Sequence, residues 1–327
     1  MPTPLPLLWT DVPLHADAFE ALRIHVRLTG PTVPAHLAIT ARYEDADAAI
    51  VGSQFAGDAA AFARAPKLQV IARTGIGYDN IDVAAASAAG VCAINTPDAP
   101  TESTSEFTIG LMFAVARRIA TADRNAKAGI WKLDASVLGF DLADKTLGLV
   151  GFGRIGRRVT EIARAIRMRV CALDPFVPAT AMTAAGVTPC ANLRELLPSA
   201  QVLSLHAPST PETRHLIGRD ELALLPKGAI LINAARGPLV DEAAVLAALE
   251  SGHLAGAGLD VWEREPVASD NPLFCHPLVV AAPHLAAYTE EGRRRSHVAA
   301  ANLVLAVLRD EVPATLIDPT IWSRRRK

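Results

Sequence analysis

The chain has 327 residues, half of them hydrophobic and 20% charged, which is enough to bury the cores of about two domains. Its formal net charge of −2 provides no global field to recruit nucleic acid or acidic lipid. No apolar stretch approaches the ~20 residues of a membrane span, and MPTPLPLLWTD at the N-terminus lacks the basic region and apolar core of a secretory signal, so a soluble, cytoplasmic protein is expected.

Short apolar runs alternate with helical patterns along nearly the whole chain, the signature of parallel sheets covered by helices. Strands are expected at Ile24–Leu28, Ala48–Val51, Leu68–Ile71 and Val91–Ile94, each meeting a break that contains Gly, Pro or Asn. A long helix is expected over Glu102–Ala122, where Phe107, Leu111, Ala114, Val115 and Ile119 recur at spacings of three and four. The segment from Gly129 to Asp144 is irregular and reads as a wrap or subunit contact. A second series starts at Thr146, with strands at Thr146–Val150, Arg169–Leu173, Val202–Leu205, Ala229–Asn233, Gly256–Leu259 and Leu278–Ala281. Six parallel strands suit a full dinucleotide-binding sheet. The helix expected over Thr289–Arg309 has no place in that series and is expected to return to the first domain. The expected fold is therefore α/β, with two doubly wound parallel-sheet domains and a cleft between them: residues 1–100 with 286–327 as a discontinuous substrate domain, and residues 101–285 as the nucleotide domain. The basic cluster Arg324–Lys327 reads as a solvated tail, and Arg293–Arg295 as an exposed helix face or subunit contact.

Four cysteines, Cys92, Cys171, Cys190 and Cys275, form no CxxC pair, so free thiols in a reducing compartment are expected. Neither they nor His25, His253 and His276 show ligand spacing, and no metal site is expected.

The sharpest local signal is Gly151-Phe-Gly153-Arg-Ile-Gly156, set between the strand ending at Val150 and a helical pattern reaching Ile166. Glycine-rich turns are common, but this one stands between strand and helix, as the phosphate-binding mechanism requires. Gly151 makes the turn, Gly153 admits a pyrophosphate against backbone, and Gly156 lets helix and strand pack closely. The phosphate charge then meets the helix N-terminus. The second strand of this series ends at Asp174, where a carboxylate can bind ribose hydroxyls and repel a 2′-phosphate. The alternative is a plain turn before Pro175; NAD is preferred over NADP.

Arg236, Glu265 and His284 each follow the carboxyl end of an expected strand, the edge where open α/β sheets bind ligands. Singly, each has a bland reading: a structural ion pair, a turn before Pro266, a satisfied loop histidine. Together they suit reduction of a 2-oxo acid, which needs a cation for carboxylate and carbonyl and a proton donor at the developing alkoxide. Arg236 offers a bidentate fork. His284 can give or take the proton, and Glu265 beside it would favour the imidazolium.

The chain resembles the D-isomer-specific 2-hydroxyacid dehydrogenases over nearly its whole length. The resemblance is carried by Arg73-Thr-Gly-Ile-Gly-Tyr-Asp-Asn-Ile-Asp82, Gly151–Gly156, His206-Ala-Pro-Ser-Thr-Pro-Glu-Thr-Arg-His215, Asn233–Gly237, Leu259-Asp260 with Glu265-Pro266, and Pro283-His284. It implies a flavodoxin-like substrate domain, a Rossmann domain for NAD, and an Arg236/Glu265/His284 triad. It further implies that Asp260 holds the nicotinamide carboxamide and that the Ile76 and Gly77 amides grip the substrate carboxylate. His206, Pro208 and Thr213 would border the adenine or its ribose, and Thr104 the nicotinamide side. Arg154, Ile155, Ala234, Ala235, Arg236, His284 and Ala287 complete the implied cofactor contacts. A homodimer built around the nucleotide domain is implied as well.

Phosphoglycerate dehydrogenases resemble the chain closely but tend to place an arginine for a substrate phosphate where Gly52 stands, and no regulatory domain follows the helix ending near Arg309. Both points favour a small unphosphorylated acid such as glyoxylate or hydroxypyruvate. Phosphoglycerate dehydrogenase is one alternative; a non-catalytic NAD-sensing regulator, as in the C-terminal-binding-protein corepressors, is another. A dehydrogenase of an inorganic or phosphonate substrate is a third.

Overall fold

The computed structural model describes residues 4–33 and 41–327, and the chain divides into two compact units, residues 1–100 with 287–327 and residues 101–286. In the first unit β1 (Leu7–Thr10), α1 (Ala16–Leu22), β2 (Arg27–Thr29), β3 (Ala48–Val51), α2 (Ala59–Arg64), β4 (Val70–Arg73), α3 (Val83–Ala88) and β5 (Cys92–Asn95) follow one another. The strands pair in parallel in the order β2-β1-β3-β4-β5, a flavodoxin-like arrangement. Strand side chains alternate between two layers, as pleating requires. Leu8, Ile50, Val70, Ala72 and Ile94 face α1 and the C-terminal helix, while Ala49, Val51, Ile71 and Ala93 face Phe62 of α2 and Ala86 of α3.

β1 was not foreseen, because Pro4 and Pro6 break the pattern before it. β2 starts at Arg27 rather than at Ile24, which is 63% exposed and contributes nothing to the core.

The second unit contains α4 (Thr101–Ala116), α5 (Ile119–Lys127), β6 (Thr146–Val150), α6 (Arg154–Ala165), β7 (Arg169–Leu173), α7 (Ala179–Ala184), β8 (Thr188–Pro189), α8 (Leu193–Leu196), β9 (Val202–Leu205), α9 (Arg219–Leu224), β10 (Ala229–Asn233), α10 (Glu242–Glu250), β11 (Leu254–Leu259) and β12 (Val279–Ala281). Its sheet has seven parallel strands in the order β12-β11-β10-β9-β6-β7-β8. The order reverses between β6 and β9, which makes a topological switch point at the carboxyl ends of these strands. Sequence reading expected six strands; the seventh, β8, is a two-residue edge ending in proline, too short to carry a pattern. Leu147, Leu149, Ile230 and Ile232 pack on Leu111, Met112 and Val115 of α4, and Leu203, Leu205 and Leu231 pack on Val245 and Leu249 of α10. Each such fully buried side chain contributes roughly 1.5–3 kcal/mol.

The single helix expected over Glu102–Ala122 is two. Arg118 turns left-handed at φ 54°, and α5 starts anew at Ile119. The backbone at 139–140 accounts for the break: Phe140 N–H donates to the Ala116 carbonyl at 2.9 Å, taking an acceptor that a continuing helix would use.

The C-terminal helix α11 (Glu290–Leu308) is capped by Thr289, whose hydroxyl accepts from Gly292 N at 2.9 Å, and it packs Ala300, Ala301 and Val304 on the first unit's sheet. Arg294 lies exposed on this helix and Arg293 and Arg295 are half-buried, and all three have partners within the chain. Arg293 donates to the Pro13 carbonyl, Arg294 pairs with Asp17, and Arg295 donates to the Ala99 carbonyl. In the basic tail Arg324 and Lys327 are exposed as expected, but the solvated-tail reading is corrected for Arg325 and Arg326. Arg325 stacks on Trp322 and pairs with Asp310, while Arg326 donates through its backbone to Gly90 O and through its guanidinium to the Ala65 and Leu68 carbonyls. Ala65 and Leu68 follow α2, and carbonyls at a helix end need donors.

Candidate active site

The turn after β6 is built by its glycines. Gly151 stands at φ +99°, and a Cβ there would lie 2.5 Å from the His206 carbonyl; a Cβ at Gly156 would lie 2.5 Å from the Gly151 carbonyl. Only bare backbone lets α6 approach β6 and the β9 loop so closely. Gly153 caps α6 without a side-chain acceptor and has open space where a Cβ would stand. Among the described residues the amides of Gly153 and Ile155 donate to no protein group. Arg154 starts the helix itself. An open, uncapped helix N-terminus on bare backbone fits a diphosphate.

Asp174 closes this turn from the end of β7. Its Oδ2 accepts from Phe152 N at 2.7 Å and its Oδ1 from Phe176 N at 2.8 Å, so the carboxylate is fixed beside the glycine turn with lone pairs remaining on both oxygens. Across the switch point, His206 follows β9 and its Nε2 pairs with Ser204 Oγ at 2.9 Å. Burial pushes the His206 imidazole down to about 4, so it is neutral at physiological pH. Thr213 closes the 208–213 turn, donating to the Pro208 carbonyl at 2.8 Å and accepting from Thr210 N at 2.8 Å. Thr104 is buried in the first turn of α4, where its carbonyl accepts from Thr108.

β10 delivers the next residues. Asn233, fully buried at its end, folds the following loop: its Oδ1 accepts from Ala235 N at 3.1 Å and its Nδ2 donates to Arg236 O at 2.8 Å, shaping the Ala234–Arg236 turn. A Cβ at Gly237 would run into the Trp262 carbonyl, so this loop lies directly on the one that carries Glu265. Arg236 donates to the Ala235 carbonyl at 2.6 Å, and its charge reaches Glu265.

His284 and Glu265 meet. His284 Nδ1 lies 2.7 Å from Glu265 Oε2, while Glu265 Oε1 accepts from Trp262 N at 3.1 Å. Burial pushes the Glu265 carboxyl up, but the His284 contact, the Trp262 amide and Arg236 outweigh it, and the pKa falls below the ordinary value. Glu265 is thus an anion throughout the neutral range.

Sequence reading missed what Asp260 does to the backbone. Fully buried at the end of β11, it accepts from Leu285 N at 2.8 Å and Ala286 N at 2.9 Å, and its own carbonyl accepts from His284 N at 2.7 Å. Three bonds hold His284 in its left-handed conformation, φ 54°. Burial raises the Asp260 carboxyl despite the two amides. The available signal was an acid in an otherwise apolar strand end, Gly258-Leu-Asp260-Val.

Ile76, Gly77 and Ala287 belong to the first unit. Ile76 and Gly77 follow β4 in the loop after Arg73, and Ala287 accepts from Thr289 N at 3.0 Å just before α11.

A nucleotide-binding α/β sheet with an imidazole–carboxylate pair at its strand ends defines a dehydrogenase-like class, and comparison with known proteins specifies it. Residues 109–286 match the family profile of the D-isomer specific 2-hydroxyacid dehydrogenase, NAD binding domain. A D-3-phosphoglycerate dehydrogenase of Methanocaldococcus jannaschii is 39% identical over 312 residues, 95% of this chain and 59% of that protein. A glyoxylate reductase of Korarchaeum cryptofilum is 39% identical over 295 residues, 89% of each chain. The crystal structure of D-lactate dehydrogenase from Aquifex aeolicus, complexed with NAD and lactic acid, superposes with a TM-score of 0.81 at 28% identity, covering 93% of this chain and 95% of that one. The chain spans about three fifths of the length of the phosphoglycerate dehydrogenase it matches. It belongs to the D-isomer specific 2-hydroxyacid dehydrogenase family, and its second unit is that family's NAD-binding domain.

Proposed function

We propose that the protein is an NAD-dependent D-2-hydroxyacid dehydrogenase that interconverts a small, unphosphorylated 2-oxo acid and its 2-hydroxy acid. The observation that carries the proposal is the 2.7 Å contact between His284 Nδ1 and Glu265 Oε2, with Arg236 close enough to act on the same carboxylate. The Gly151–Gly156 turn and the first turn of α6 would hold the pyrophosphate, with Asp174 on the adenosine ribose. The loops at 206–213 and 234–236, Thr104, Asp260 and Ala287 complete the nucleotide site. Bound NAD supplies or takes up the hydride at C2. Arg236 holds the carboxylate and polarises the carbonyl. With Nδ1 donating to Glu265, His284 keeps Nε2 to protonate the carbonyl oxygen as it becomes an alkoxide; in oxidation the same nitrogen takes the proton back. Glu265 orients the ring, and Asp260 fixes the turn from which the ring projects. The Ile76 and Gly77 amides, which donate to no protein group among the described residues, would bind the substrate carboxylate.

Gly52 supports the choice of substrate. Its amide is held by Asp11 Oδ1 at 2.8 Å, and a Cβ would lie 2.9 Å from Val12 Cγ1, so this strand end has no room for a phosphate-binding side chain unless Val12 moves. The four free thiols suit a reducing, cytoplasmic setting. A homodimer is supported by the exposed apolar strap of Ile130, Trp131, Leu133 and Leu138, which are 51%, 95%, 97% and 75% exposed.

The test is turnover of glyoxylate, hydroxypyruvate, pyruvate and a phosphorylated 2-oxo acid with NADH and NADPH. Reduction of an unphosphorylated acid with NADH is expected to dominate. Equal use of NADPH would remove Asp174 from its role, preference for the phosphorylated acid would overturn the substrate class, and no turnover of any of them would overturn the proposal.

A further inference from the structure

The loop after β4 is held from behind by residues that no part of the reaction uses directly. Thr96 brackets Gly75: its backbone N–H donates to Gly75 O at 3.0 Å, and its hydroxyl accepts from Gly75 N at 2.7 Å. The same hydroxyl lies 2.9 Å from Ser296 Oγ of α11, a fully enclosed contact between residues 200 positions apart. One residue further on, Asn95 Nδ2 donates to Ile76 O at 2.8 Å. Asn95, Thr96 and Ser296 are 8%, 2% and 8% exposed, so these polar groups are buried and spend their bonding capacity on the loop and on each other.

The planarity of the peptide gives these bonds a consequence. In a trans peptide the C=O and the following N–H point in opposite directions. Thr96 pulls the Gly75 carbonyl inward and so turns the Ile76 N–H outward; Asn95 pulls the Ile76 carbonyl inward and so turns the Gly77 N–H outward. Both amides are left without a protein acceptor among the described residues. Gly75, at φ +136°, is the freest joint in the segment and is the one that Thr96 holds on both sides. The Thr96 hydroxyl thus joins the Gly75 amide to Ser296 Oγ in one buried network whose bonds can polarise one another.

We propose that Asn95, Thr96 and Ser296 are positioning residues that preorganise the Ile76–Gly77 amide pair as a two-point grip for the substrate carboxylate, with Ser296 tying the grip to α11. The inference rests on the proposed function, in which those amides bind substrate. Its signature is a selective loss of carboxylate affinity. Ser296→Ala and Thr96→Val are expected to raise KM for the 2-oxo acid roughly three- to tenfold, the worth of about one net hydrogen bond, while KM for NADH and the NADH dissociation constant stay unchanged. Thr96→Ser keeps the hydroxyl and should restore the native value.

The direct readout is equilibrium binding of oxamate, an unreactive 2-oxo monocarboxylate, to the NADH-loaded protein by calorimetry. Weaker oxamate binding in Ser296→Ala and Thr96→Val, with rescue in Thr96→Ser, supports the grip. Oxamate binding and KM at native values in Ser296→Ala, or a loss spread equally over NADH and oxamate, overturns it. Ser296→Ala removes one buried hydroxyl and decides the matter even if Thr96→Val does not fold. Native protein that neither binds oxamate nor reduces a 2-oxo acid would instead overturn the proposed function.

Discussion

Glu265 accepts one bond from Trp262 N and one from His284, and the second gives it a place in the proposed chemistry. Reduction needs a proton on His284 Nε2 for the developing alkoxide, and the Glu265 contact at Nδ1 holds the ring to deliver it. Glu265→Gln should therefore lower kcat for reduction and leave NADH binding nearly intact. His284→Ala should cost roughly 10²–10⁴-fold in kcat. Turnover at saturating NADH checks both, and a Glu265→Gln kcat equal to the native one would show the pair uncoupled. Arg236→Lys should also be impaired in kcat/KM with a 2-oxo acid, because a point charge does not reproduce the guanidinium fork; native kinetics in that variant would remove Arg236 from substrate binding. These three residues were legible in sequence because each stands just past a strand end. Asp260 was legible as a candidate, but its hold on the 285–286 amides was not, since a bond across 25 positions leaves no local pattern.

At the scale of elements, the seam between α1 and α11 depends on an imidazole that must stay neutral. His297 is 6% exposed, and its Nδ1 accepts from His15 N at 2.9 Å. Burial, with the charges of Arg293 and His15, pushes it from the ordinary 6.5 down to about 4. Asp17 and Glu290 also line this seam, pairing with His15 and with Arg294 and Arg293. The unfolded chain binds the proton first, so the stability due to neutral His297 is complete above pH 6.5 and is lost as pH falls toward 4. His297→Gln keeps an acceptor without a titration and should flatten the fall of the urea midpoint across that window. A variant whose midpoint falls as steeply as the native one would show that His297 does not limit acid stability. The bounds of α11 were readable from Thr289 and the apolar period. The break between α4 and α5 was not, because Phe140 makes it from twenty-odd residues away.

At the scale of the whole molecule, the irregular strap after α5 leaves Trp131 and Leu133 almost fully exposed at 95% and 97%. Side chains of this size in water invite a partner, and a second copy of the chain is the one proposed. Trp131→Glu with Leu133→Glu should shift the protein from dimer to monomer in sedimentation while the far-ultraviolet spectrum is kept. A native protein that already sediments as a monomer would overturn the dimer.

Short-range chemistry determined much of this protein from sequence alone. A glycine spacing between strand and helix, an acid ending β7, and Arg, Glu and His after three strands are written in consecutive residues, because turn geometry and strand period act over a few positions. Tertiary structure alone decided which distant groups meet: Thr96 with Ser296, Arg326 with the carbonyls after α2, and β8 with β7. A buried hydroxyl, a guanidinium or a two-residue edge strand takes its partner from wherever the returning chain brings one, and the need to satisfy buried polar groups fixes that choice only once the core has formed.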